Sequence, residues 1–391
     1  MDIKEKVLDL EDEVIRLRRD FHKHPELGFK EFRTAKKVAG YLEDLGLEVE
    51  TNIAKTGVVG VLRGSEPGKT LMLRADMDAL PIQEQNDFSY KSAVPGLMHG
   101  CGHDGHTAML LVAAKILSEY KNKIKGNVKF VFQPNEETAA AKMMIKEGVL
   151  ENPDVDGAFG IHLWTPIESG KIAISEGAVM GGLYEFELTV KGQGGHTSAP
   201  QTAIDPIVTA SNIIQTIQTV QTREIDPLKP TAIMFGEVKS GTATNIIPEE
   251  AELRGTIRYL YRDEEGNPAQ PKKRFERIVE NVCKTHQADY EIDYIVESPP
   301  VYNNSEMVKK AQETALEVLE DREKIVDYTN LAGEDFGEFS DVVPSTFYFV
   351  GTGNKEKGTD YPHHHPKFDI DEDTLKTGVE MHVRSALNYL E

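Results

Sequence analysis

Between Leu183 and Val296 the hydrophobic pattern runs strand, helix, strand, strand, helix, strand, and no other feature constrains the fold as much. Leu183–Val190 alternates as a half-buried strand, and Ile204–Thr222 carries a helical period. Thr231–Lys239 and Glu250–Tyr259 are strands, Arg274–His286 a second helix, and Asp289–Val296 a last strand before Pro299-Pro300. That order is the ferredoxin-like split arrangement, a compact α+β unit. The flanks are of another kind. Helical patterns at 2–22 and 31–46 precede the strands Val58–Leu62 and Thr70–Arg74. A helix to about Tyr120 leads to the strand Val128–Phe132, and a helix over Glu136–Glu147 leads to the strand Gly157–Ile161. After Pro300 the pattern returns to helix, strand (Thr346–Val350) and helix. Alternation of this kind predicts an α/β layer fold with a largely parallel sheet. The expected organisation is a discontinuous α/β domain, 1–180 with 298–391, holding an inserted α+β domain, 181–297. The polar segment Arg262–Lys273, with two prolines, reads as a surface loop.

At 391 residues two domains are the natural expectation. A net charge of −21 disfavours nucleic acid and anionic membranes as partners, while leaving room for an anionic substrate at a local positive site. The N-terminal stretch is charged and lacks a signal-peptide core, and no run of about 18 apolar residues occurs. Of the two cysteines, Cys101 and Cys283, the first sits in the candidate site described next, so a disulfide is not expected and a cytoplasmic location fits.

The chemistry concentrates in Met98-His99-Gly100-Cys101-Gly102-His103-Asp104-Gly105-His106. Neutral imidazole and thiolate are ligands that a borderline-soft divalent metal prefers, and the glycines let the backbone aim several at one place. A His-rich surface turn is the bland alternative. Four clusters accompany it at strand ends or helix starts, where α/β folds place their sites. Asp76 and Asp78 close the strand Thr70–Arg74, where such carboxylates bind metal or orient a ligand imidazole. Glu136-Glu137 follow the strand ending at Phe132. They complement a helix dipole in the plain reading, or supply a ligand and a general base beside a metal. His162 precedes the single tryptophan, Trp164, and His363-His364-His365 stand before the last helix. In the inserted domain, His196 on the Gly192–Pro200 loop and Asn245 are groups that can hold an oxyanion. Arg254 and Arg258 share one strand face and can clamp a carboxylate, or form a sheet-surface pair. No nucleophile elbow, phosphate-cradling loop or dinucleotide fingerprint is present, so metal-assisted hydrolysis remains.

These pieces, with Arg18–Gly28, Gly333-Glu334-Asp335-Phe336 and His364–Phe368, resemble the aminoacylase–carboxypeptidase family of co-catalytic metallopeptidases. The similarity is to its amidohydrolase branch of hippurate hydrolases, N-acyl-amino-acid amidohydrolases and auxin-conjugate hydrolases. The resemblance implies a two-metal site (zinc or manganese) with Cys101 as bridging thiolate and His103, Glu137, His162 and His364 as the other ligands. It makes Glu136 the base that takes a proton from the attacking water and passes it to the leaving amine. Asp76 stands where sister branches have a metal histidine, so His103 fills that role with Asp78 behind it. His196 and Asn245 stabilise the transition state, with His196 delivered by the lid domain of a homodimer partner, and the inserted domain serves as lid and dimerisation domain. Of the two arginines on one strand face, Arg258 rather than Arg254 is the expected clamp for a substrate carboxylate. The branch's glycine-rich run after the glutamates is here Thr138-Ala139-Ala140-Ala141. The implied activity is hydrolysis of N-acyl L-amino acids. A dipeptidase or exopeptidase of the same family, or a non-catalytic metal-binding protein, are the other readings.

Overall fold

The computed structural model describes residues 2–262 and 271–391. They form two compact units, one of 1–179, 301–329 and 335–391, the other of 180–300 and 330–334. In the first unit the strands β1 (Glu48–Ile53), β2 (Gly57–Arg63), β3 (Glu66–Asp76), β4 (Lys125–Gln133), β5 (Gly157–Glu168) and β6 (Ile172–Ala173) join Ile325–Val326 and Ser345–Gly353 in one sheet. Its order is β1, β2, β4, β3, β5, Ser345–Gly353, β6, Ile325–Val326. The centre is parallel, β4 to β3, β3 to β5 and β5 to Ser345–Gly353. The β1–β2, β2–β4 and β6–Ser345 pairings are antiparallel, so the sheet is mixed rather than largely parallel.

The central strands are continuous apolar runs because both faces are covered. The His103–Glu119 helix is apolar nearly all round, and every residue from His103 to Ala114 is buried. The Leu375–Tyr389 helix lies against it, and Gly378 allows that approach, since a Cβ there would meet the Met109 sulfur at 2.1 Å.

Two expected elements differ. The N-terminal helix breaks at Leu10 into Ile3–Asp9 and Glu11–Lys23, leaving Leu8 half exposed. The helix expected from Glu136 to Glu147 is instead a single turn, Glu136–Thr138, a left-handed Ala139, and a short helix Ala141–Lys146. In the second unit Gly182–Lys191, Pro206–Thr219, Thr231–Ser240, Glu250–Tyr259, Pro271–His286 and Asp289–Ser298 follow the strand–helix–strand–strand–helix–strand order. The strands lie in the order Thr231–Ser240, Glu250–Tyr259, Gly182–Lys191, Asp289–Ser298, all antiparallel. Phe186, Leu188, Val190, Ile213, Ile217, Leu253, Ile257 and Phe275 form the core between sheet and helices. The fold is therefore α/β with an inserted ferredoxin-like α+β unit. Of the expected surface loop over 262–273, residues 263–270 lie outside the described residues, and Pro271 already opens a helix.

Candidate metal centre

The centre in the first unit is built at the carboxyl ends of parallel strands. Asp76 ends β3 opposite Gln133, which ends β4, and His162 lies on β5. Gly102 takes a left-handed φ of 94° at the start of the His103–Glu119 helix and turns the chain so that Cys101 and His103 converge. The buried His103 has its Nδ1 3.0 Å from the Asp78 carbonyl oxygen and 3.2 Å from Asp78 Oδ1, which fixes the ring and leaves Nε2 without a hydrogen-bond partner among the described residues. Asp78 Oδ2 also accepts the Glu137 N–H at 3.1 Å.

His162 donates Nδ1–H to its neighbour's carbonyl, Leu163 O, at 2.8 Å, and its Nε2 lies 3.7 Å from Cys101 Sγ. His364 Nε2 is 3.2 Å from Glu137 Oε1, and its N–H donates to Gly100 O, with φ at 63°. A strained backbone at such a position marks a site that its surroundings hold in place.

Of the groups of donor atoms lying within 4.8 Å of one another among the described residues, two share one sulfur, Cys101–His103–His162 and Cys101–Glu137–His364. Glu136 stands beside them, Oε2 at 3.8 Å from His103 Nε2. The three adjacent histidines are sorted by their surroundings. His363 is half-buried, stacked on Trp164 at 4.1 Å, with Nε2 3.0 Å from Leu163 O. His365 stacks on Tyr361 at 4.7 Å, and only His364 reaches the donor set. His106 is also excluded as a ligand. Its Nε2 accepts the Leu163 N–H at 2.8 Å and its Nδ1 faces Asp76 Oδ1 at 2.6 Å. Asp76 itself is taken up by Arg74, at 2.6 Å, and by His106.

The electrostatics favour a cation. Burial, and then the Glu137 charge, push the Cys101 thiol up from its ordinary value. Contacts to Cys101 and Glu137 raise His364 to about 10. Burial holds His162 well below the ordinary imidazole value, neutral and able to donate a lone pair. A region that draws a proton so strongly onto one imidazole favours positive charge, and imidazole, thiolate and carboxylate suit a borderline divalent ion. The donor set, with a His103 Nε2 that has no hydrogen-bond partner among the described residues, fits a two-metal centre.

The second unit gathers the other candidates. Gly195-His196 pairs antiparallel with Ile246-Ile247, and the Thr197 N–H donates to Asn245 O at 3.3 Å. His196 and Asn245 line one open cavity of about 870 Å³ with Lys239, Ser240 and Thr242. His196 Nδ1 accepts the Ser198 N–H at 3.1 Å, which leaves Nε2 as the donor nitrogen of the ring. Arg254 is an exposed surface pair with Glu187 at 3.1 Å and Glu237 at 3.6 Å. Arg258 is half-buried, donates to Leu331 O at 3.0 Å, and has no carboxylate in ion-pair reach among the described residues.

Sequence reasoning gave no role to Arg74, Glu31 or Asp335. Arg74 and Asp335 lie inside motifs that were singled out, but long-range burial, which no local pattern reports, gives them their partners.

Residues 72–388 match the family described as Peptidase family M20/M25/M40. Thermostable carboxypeptidase 1 of Saccharolobus solfataricus is 41% identical, with 99% of this chain and 98% of that protein covered. N-acetylcysteine deacetylase of Bacillus subtilis is 36% identical, with 97% of each covered. A crystal structure of the Bacillus subtilis YXEP protein, described as a dinuclear metal binding peptidase from the M20 family, is similar with a TM-score of 0.83. It is 32% identical, with 98% of each chain covered.

Proposed function

The chain belongs to peptidase family M20/M25/M40 and is a metal-dependent hydrolase of amide bonds, and from that premise we propose that its substrates are N-acyl L-amino acids, cleaved to a carboxylic acid and an amino acid. One observation carries this reading. Two donor sets share Cys101, and a carboxylate outside both, Glu136, stands next to them. When bound, two divalent ions would supply Lewis acidity toward the amide carbonyl and toward water.

The chain's own residues do the rest. Glu136 takes the proton of the attacking water and passes it to the departing nitrogen, so the amine leaves neutral. Asp78 keeps His103 in one tautomer and orientation. The Nε2–H of His196 and the Asn245 amide donate to the oxyanion. Arg258, which has no carboxylate in ion-pair reach among the described residues, receives the substrate α-carboxylate.

We assign the lid role to the second unit within a homodimer. The Thr231–Ser240 strand is a sheet edge with Met234 and Val238 exposed, and Ile207 and Val208 are exposed on the Pro206–Thr219 helix. Apolar side chains on an unpaired edge are a surface that a second copy would cover. His196 then serves the donor cluster of the partner. Mixing inactive Glu136→Ala and His196→Ala chains under subunit exchange should return about a quarter of wild-type activity, by the two-fold logic of a symmetric dimer. Verified exchange that returns nothing places His196 in its own chain's site or in none.

A second reading, exopeptidase action on peptide bonds, rests on the carboxypeptidase relative. Comparing kcat/KM for an N-acetyl amino acid and a dipeptide with the same C-terminal residue separates the two. The proposal expects the acyl substrate to win, and a preference for the dipeptide overturns it.

A further inference from the structure

Glu136 and Glu137 sit on a turn bounded by two left-handed residues, and the clamps on that turn come from distant parts of the chain. Asn135 has φ 49°, a left-handed value that asparagine accepts readily, and Ala139 has φ 65°, one that a residue with a Cβ adopts only where its surroundings impose it. Upstream, the buried Glu31 accepts the Asn135 N–H at 2.9 Å, and Gly28 leaves room for the Asn135 side chain, since a Cβ there would fall 1.8 Å from Asn135 Oδ1. Downstream, Asp335 Oδ2 accepts the N–H groups of both Ala140 and Ala141 at 2.8 Å.

Asp335 is itself fixed. Gln133 Nε2 lies 2.7 Å from both of its oxygens, and Arg74 Nη2 donates to Oδ1 at 3.1 Å. The same guanidinium holds Asp76, which packs against His106 beside His103. Arg74, Gln133 and Asp335 are all at most 2% exposed.

A cap for the short Ala141–Lys146 helix would explain the two amide bonds alone. It would not explain a buried arginine bridging two carboxylates, nor a carboxylate reaching the turn from 195 residues away. We propose that Asp335, held by Arg74 and Gln133, is a positioning residue that fixes the Asn135–Ala139 turn, and with it the reacting oxygen of Glu136, relative to the His103 side of the centre. The proposal rests on the assignment of Glu136 as base.

The test uses metal-loaded full-length enzyme and the variants Asp335→Asn, Gln133→Met and Glu136→Gln. Metal content, kcat and KM per loaded site, and hydrogen exchange at the Ala140 and Ala141 amides are measured. Asp335→Asn should keep both metals and hold KM within about threefold. It should lose about 10²-fold in kcat, the scale set by a misplacement of about 1 Å, and exchange those two amides faster. Gln133→Met should do the same to a smaller degree, and it carries the test alone if Asp335→Asn fails to fold. A kcat within about twofold of wild type with both amides deprotected overturns the proposal. So does a kcat loss with their protection unchanged. An active Glu136→Gln enzyme would instead remove the base assignment, so the two failures are told apart.

Discussion

The donor cluster of the first unit and the His196–Asn245 loop pair of the second are built on opposite terms. His103 and His162 are at most 3% exposed, and Asp78 behind His103 is equally buried, while His364 stands exposed at the rim of the same cluster. His196 is exposed, and among the described residues its side chain is held by Ser198, two residues along its own loop. The first region holds its geometry before any ligand arrives. The second has the right donor on the right ring nitrogen, but in water such a donor stabilises an oxyanion weakly, so it needs to be covered to act. The difference assigns the tasks. On the roles proposed above, cation binding and proton transfer fall to the largely buried cluster, and the transition-state donors to the exposed loops.

The sharpest way to break this division is to alter the two adjacent glutamates. Glu137→Gln should lose bound metal and with it essentially all turnover, whereas Glu136→Gln should keep its metals and lose about 10²–10⁴ in kcat. Elemental analysis beside single-turnover rates checks this, and the reverse pattern would interchange the two roles. Next in size, His196→Ala or Asn245→Ala should cost about 10²–10³ in kcat with metal content and thermal midpoint unchanged. Metal loss in either variant would erase the contrast between the regions.

Within the second unit, two arginines sharpen the comparison further. Arg258→Met should weaken kcat/KM for a free-acid substrate by about 2 kcal/mol, at the low end for a charged pair losing a partner because the site is half-buried. The same variant should be indifferent to the matching carboxamide. Arg254→Ala, removing only exposed ion pairs, should change stability and activity by less than about 0.5 kcal/mol. Equal effects of the two substitutions would count against the clamp.

Much of this was legible in the chain because it rests on local pattern. The strand Glu250–Tyr259 ends where its alternation ends, and the six-element order of the inserted unit follows from periodicity and turn residues. The nonapeptide draws attention to Cys101 and His103 because glycine spacing and side-chain chemistry sit together. What was not legible depends on distant partners. The Glu136–Glu147 segment reads as a helix because two acidic residues precede an apolar period. Yet Glu31 and Asp335, far away in sequence, hold Asn135 and Ala140 in a turn that propensity alone would not form. β1 was missed because its burial pattern is mostly exposed, as an edge strand's is. The mixed character of the large sheet arises from edge pairings that no single strand's sequence specifies. His364 was singled out among three histidines by resemblance alone. The structure separates them by stacking, with His363 against Trp164 and His365 against Tyr361.

The central claim is that the Cys101 thiolate is shared by two metal ions, and the absorption spectrum of the cobalt(II)-substituted enzyme tests it most directly. Cobalt takes the same donor types as zinc and shows a thiolate-to-metal charge-transfer band when sulfur is bound. The account predicts that band in the wild-type protein, growing until two cobalt ions are bound per chain. In Cys101→Ala the band should vanish together with tight binding and hydrolysis. Two tightly bound cobalt ions and full turnover in Cys101→Ala, or a wild-type spectrum without the sulfur band, would contradict it.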